Sequence, residues 1–129
     1  MKNGFKFFTI ISILAFMLIG CRSAPVMNVD SAAIQVSEKH TSKDIKKAII
    51  RAGASLGWNM KSIKEGQMIG TLNLRKHVAV VDITYSKNNY SIKYKSSTNL
   101  DYDGVNIHSN YNGWIQRLNQ NIQVQISTL

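Results

Sequence analysis

The run Asn99-Leu100-Asp101-Tyr102-Asp103-Gly104 sets oxygen-bearing side chains at alternating positions and closes them with glycine, as a calcium-binding loop begins. Such a loop needs an acidic first ligand and a bidentate glutamate at its twelfth position. Those places hold Asn99 and Asn110. Asp, Asn and Gly are also ordinary turn formers, so the run reads as a turn and no metal is assigned to it. Asp101 and Asp103 would point the same way on a strand, as paired carboxylates for glycan cleavage do. Adjacent solvated loop carboxylates, however, keep ordinary acidity.

The other reactive side chains are scattered. His40, His77 and His108 lack the spacing of a helical metal site, and Cys21 is the only cysteine. Serines are plentiful, but none sits in a glycine-flanked nucleophile elbow, and no glycine-rich loop is built to cradle a phosphate. Gly66 and Gly70 read as a hairpin turn and a close-packing strand position. The chain is therefore expected to carry no catalytic residue and no cofactor, and to act by recognition.

Recognition has two candidate sets. The connection from Lys93 to His108 is long for a compact domain, and such loops are often functional. With the start of the following helix it offers Asn99, Asp101, Tyr102, Asp103, His108 and Trp114 as candidate partner-binding residues. Most other aromatics, Trp58, Tyr85, Tyr90, Tyr94 and Tyr111, fall where a core needs them. The second set follows from charge. Sixteen basic against seven acidic residues give a formal net charge of +9. Arg75, Lys76, Lys93 and Lys95 are candidates for binding anionic lipid or lipopolysaccharide phosphates.

These residues must be positioned by elements that the hydrophobic pattern locates. Thr41-Ser42-Lys43-Asp44 has the form of a helix start, after which Ile45, Ala48, Ile49, Ala52 and Leu56 recur at helical spacing until Gly57. The period then changes to that of strands: from Trp58 to Lys64, Gln67 to Leu74, His77 to Tyr85 and Tyr90 to Ser96. Glu65-Gly66, Arg75-Lys76 and 86–89 are the turns between them. The last turn would set Tyr85 opposite Tyr90, Ile83 opposite Ile92 and Val81 opposite Tyr94, with Leu72 and Leu74 on the same apolar face. Ser91, Lys93 and Lys95 then face away. Tyr111, Trp114, Ile115, Leu118, Ile122 and Ile126 return to helical spacing, with Ser109 or Asn110 as the cap. The expected fold is a two-layer α+β domain in the order α-β-β-β-β-α, a four-stranded antiparallel meander with two helices packed on one face.

The N-terminus speaks to location. Lys2 and Lys6 precede an apolar stretch that runs to Ile19, and then come Gly20 and Cys21: the shape of a secretory signal peptide. Leu18-Ile19-Gly20-Cys21 resembles the lipobox of bacterial lipoproteins. The resemblance implies removal of residues 1–20 and lipidation of Cys21 by diacylglyceryl and acyl (palmitate-type) chains. At about 0.8 kcal/mol per buried methylene, two or three chains anchor stably. It also implies that Arg22, in place of aspartate, sends the protein to the periplasmic face of the outer membrane, with the inner membrane as the alternative. Residues 21–40 hold the only proline, Pro25, and no sustained pattern, so they are expected to be a flexible tether, with 32–36 as a short edge strand at most. Residues 41–129 are then a single periplasmic domain.

Ser96-Ser97-Thr98-Asn99-Leu100, Ile107-His108, Tyr111-Asn112 and Trp114-Ile115 are similar to a pattern in small uncharacterised proteobacterial lipoproteins, a likeness that implies no activity. The expected function is a membrane-anchored, non-enzymatic binding module of the cell envelope with a protein partner and no nucleic acid. An anionic lipid or lipopolysaccharide-binding module is the alternative, and a small envelope-glycan hydrolase the third. Inhibition of lysozyme is disfavoured because that target is itself basic.

Overall fold

The computed structural model describes residues 22–129. The expected lipidation site, Cys21, and the signal segment 1–20 lie outside the described residues. Helix α1 spans Ser42–Ser55, and its start is a reciprocal cap. The Thr41 hydroxyl accepts from the Asp44 amide, while the Asp44 carboxylate accepts from the Thr41 amide at 2.9 Å. That backbone bond is the main reason the Asp44 carboxyl sits below its ordinary range. Ile45, Ala48, Ile49, Ala52 and Gly53 form the buried stripe. The helix closes where Gly57 takes φ +88°, a conformation that costs glycine nothing.

Strands β3 (Asn59–Lys64), β4 (Gln67–Leu74), β5 (His77–Tyr85) and β6 (Asn89–Thr98) form the expected antiparallel meander. Tyr85 pairs with Tyr90, Ile83 with Ile92 and Val81 with Tyr94. Gly70 is a true close approach: a methyl group there would stand 3.2 Å from Val81 Cγ2 and 3.3 Å from Met60 Sδ. Leu72 is buried, but Leu74, expected beside it, is 44% exposed because it lies at the very end of β4.

The described residues contain more strand than the four expected. With β2 (Val29–Ala33) the sheet has five strands in the order β2-β6-β5-β4-β3, and β1 (Ser23–Pro25) with β7 (Asn106–His108) makes a separate antiparallel pair. Both β1 and β2 come from the segment read as a flexible tether, which is instead folded from Ser23 onward. Val29 and Ile34 are buried in the core, and Val26, Met27, Ala32 and Val36 pack against it. A bulge between Val29 and Ala32, with Ser31 at φ +48°, breaks the alternation of apolar residues. The free edge of β6 supplies the ladder that holds the segment in place.

Helix α2 spans Ser109–Ser127 and buries Tyr111, Ile115, Leu118, Ile122 and Ile126. Its cap is neither Ser109 nor Asn110: the His108 ring accepts at Nδ1 from the Asn110 amide, 3.2 Å away. The helices pack on each other and on the apolar sheet face. Asn121 ties them by donating to the Ala52 carbonyl at 2.9 Å and the Ser55 hydroxyl at 2.6 Å. Among the described residues no helix is long and apolar enough to cross a membrane.

Candidate binding surface at the end of the sheet

Beyond Thr98 the chain turns sharply around a single apolar residue. Leu100 is 1% exposed and stands between Asn99 at φ +57° and Asp101 at φ +53°, left-handed positions that Asn and Asp tolerate best. The backbone then ties itself down. The Leu100 carbonyl accepts from the His108 amide at 2.8 Å, the Asn106 carbonyl from the Asp103 amide at 3.1 Å, and the Val105 carbonyl from the Val26 amide at 2.9 Å. Asp103 Oδ1 accepts from the amides of Val105 and Asn106 at 2.9 and 2.7 Å, which together turn the chain at Gly104. These bonds, foremost that from Asn106, hold the Asp103 carboxyl below the ordinary range.

The same end contains the Arg75-Lys76 turn. The Asn99 side chain donates to the Lys76 carbonyl at 2.8 Å, and His77 Nδ1 lies 2.8 Å from the Asn99 carbonyl, so that nitrogen carries a proton. The His77 ring centre is 6.3 Å from that of His108 and 6.1 Å from that of Trp114. Two of the three histidines expected to be independent are thus neighbours, while His40 lies apart beside Asp44 at 3.8 Å. No three His, Cys, Asp or Glu side chains among the described residues converge as a metal set.

Tyr102 lies over Tyr94, with ring centres 4.1 Å apart, and the Tyr94 and Ser97 hydroxyls share a hydrogen bond of 2.8 Å. An open depression of about 360 Å³ is lined by Tyr94, Ser97, Asn99, Leu100, Asp101 and Tyr102. Behind it the Tyr111 hydroxyl is buried without a partner, and burial first, then Tyr94 and Tyr102, pushes its pKa far up.

Of the expected partner-binding residues, Asn99, Asp101 and Tyr102 meet at this depression. Asp103 is committed to its own turn and His108 to the α2 cap, and Trp114 stands one helical turn further on beside His77. The expected anion-binding residues divide. Arg75 and Lys76 border the loop, whereas Lys93 pairs with Asp30 and Lys95 with Asp82, each at 3.5 Å. Two of the four cations are thus paired with carboxylates. Sequence reasoning missed His77 as a neighbour of the loop, and nothing local marked it. No known protein family, curated protein or solved structure matches the chain.

Proposed function

We propose that the chain is a membrane-anchored, non-enzymatic binding module of the cell envelope, held through Cys21, and that its contact surface is the 99–105 connection with the adjacent Arg75-Lys76 turn. The observation that carries this reading is how the polar groups of the connection are used. Asp103, His108 and Asn99 spend their side chains on backbone amides and carbonyls, the work of holding a shape rather than of transferring protons. What that shape presents outward is Tyr102 on its Tyr94 support, Asp101, and Val105. A preorganised surface of this kind loses little entropy on binding. The sequence favours another envelope component as partner, a protein in the first instance, with an anionic lipid surface as the alternative occupant.

The test is a double substitution that leaves the bracing intact, Asp101→Asn with Tyr102→Ala. The affinity-tagged full chain, solubilised from membranes, should recover its envelope component about fivefold better than the variant, a loss of about 1 kcal/mol from an exposed aromatic contact. Equal recovery by the two proteins refutes the assignment of a protein partner to this surface.

A further inference from the structure

We infer that this end of the domain lies flat against the lipid bilayer, so that the first thing its exposed apolar tips meet is the membrane surface. The inference rests on the reading that the chain is held to a membrane by what precedes Arg22, and it names the occupant of the contact surface. Three observations converge on it.

The first is where the described chain begins. Ser23 pairs directly with His108, whose amide donates to the Leu100 carbonyl of the connection, and only Arg22 separates it from Cys21. Two residues span about 7 Å at full extension. The apolar run that ends at Ile19, or an acyl group on Cys21, is therefore delivered within a few residues of this end of the fold. A free tether of about twenty residues would reach roughly 25 Å and allow every orientation. Strands β1 and β2 remove that freedom.

The second is what this end exposes. Val105 is 64%, Leu74 44% and Tyr102 37% exposed, three of the six large exposed hydrophobic residues among those described. Leu74 belongs to the end of β4 that turns through Arg75-Lys76, and that turn is tied to Asn99. Tyr102 and Val105 lie on the connection that Asn99 begins. Tyrosine suits the membrane–water boundary, where its ring is apolar and its hydroxyl wet.

The third is charge. Arg75 and Lys76 directly follow Leu74 in the turn after β4, Arg22 precedes the Ser23–His108 pair, and none of the three is ion-paired to a carboxylate among the described residues. Asp101 and Asp103 oppose them, but the Asp103 carboxylate is turned onto two backbone amides. Cations beside apolar tips suit a bilayer whose headgroups carry phosphate.

The experiment places a photo-reactive amino acid at Val105, and separately at Val124 on α2, in the full chain purified from membranes. Each protein is reconstituted into vesicles of phosphatidylethanolamine and phosphatidylglycerol. The expected result is lipid adducts at position 105 at least about fivefold above those at 124. Combining the probe at 105 with Arg75→Ala and Lys76→Ala should lower its lipid yield about threefold or more, since each surface cation contributes to the attraction. Equal lipid yields at 105 and 124 overturn the inference. So do protein adducts alone at 105 in whole cells, which would return the surface to a protein partner. Mass analysis of the N-terminal peptide and washing of native membranes with alkaline carbonate decide the anchor separately. If the chain is neither acylated nor retained, the membrane-anchored reading fails. The yield at 105 from released protein mixed with the same vesicles then shows whether the surface still seeks lipid.

Discussion

Replacing Leu100 with alanine removes the fully buried apolar side chain by which the 99–105 connection is seated in the core. The side chain is 1% exposed. Losing three buried carbons at about 0.8 kcal/mol each gives about 2.4 kcal/mol. An unfilled cavity brings Leu→Ala changes into the range of about 2.7–5 kcal/mol. The connection can relax partly into the space, so the lower end, about 3 kcal/mol, is expected. With a urea m-value of about 2 kcal/mol/M, the midpoint should fall by about 1.5 M without a change in slope. Circular dichroism measures that shift. Hydrogen exchange measures its local counterpart: the His108 amide, which donates to the Leu100 carbonyl, should lose protection more than the buried amides of β5. A midpoint shift below about 0.3 M with unchanged exchange at His108 would refute the view that the surface is held from inside by this residue.

Two further outcomes follow from individual polar groups. Tyr111→Phe should raise stability by about 1 kcal/mol in thermal or urea unfolding, because the hydroxyl it removes is buried without a partner and gives up no bond. Asp103 has a depressed folded-state pKa, so the stability it contributes is present above its ordinary value near pH 4 and is lost as the pH falls through the lower folded value. Asp103→Asn should accordingly flatten the acid limb of a stability-against-pH curve below pH about 4, read by the same unfolding assay.

The parts of the fold that were legible in the sequence are those whose pattern is local. Helix α1 announced itself through Thr41, Asp44 and a stripe ending at Gly57, and the β5–β6 hairpin through facing pairs such as Ile83 and Ile92. The tether reading failed at Ser31, where one bulged residue shifts the register and leaves Val29 and Ala32 out of alternation. Without that period, an edge strand looks like linker. The candidate surface was half legible for a related reason. Asn99, Asp101 and Tyr102 are neighbours in sequence, so their clustering was visible. His77 comes to His108, and Ser23 to the same place, only through pairings across tens of residues that no local window contains. Leu100 looked like any loop leucine. Its role depends on two left-handed neighbours that aim it inward.

The pairing of Ser23 with His108 also sets an order of events during synthesis. These partners are 85 residues apart, so the first strand of the fold has nothing to pair with until nearly the whole domain has been made. At about 5–20 residues per second, Ser23 waits about 4–17 s for His108 to be added. Strand β2 waits likewise for β6. During that interval the segment from Ser23 to Ala33 is an open chain, and it becomes part of the folded body only when the C-terminal half arrives to receive it.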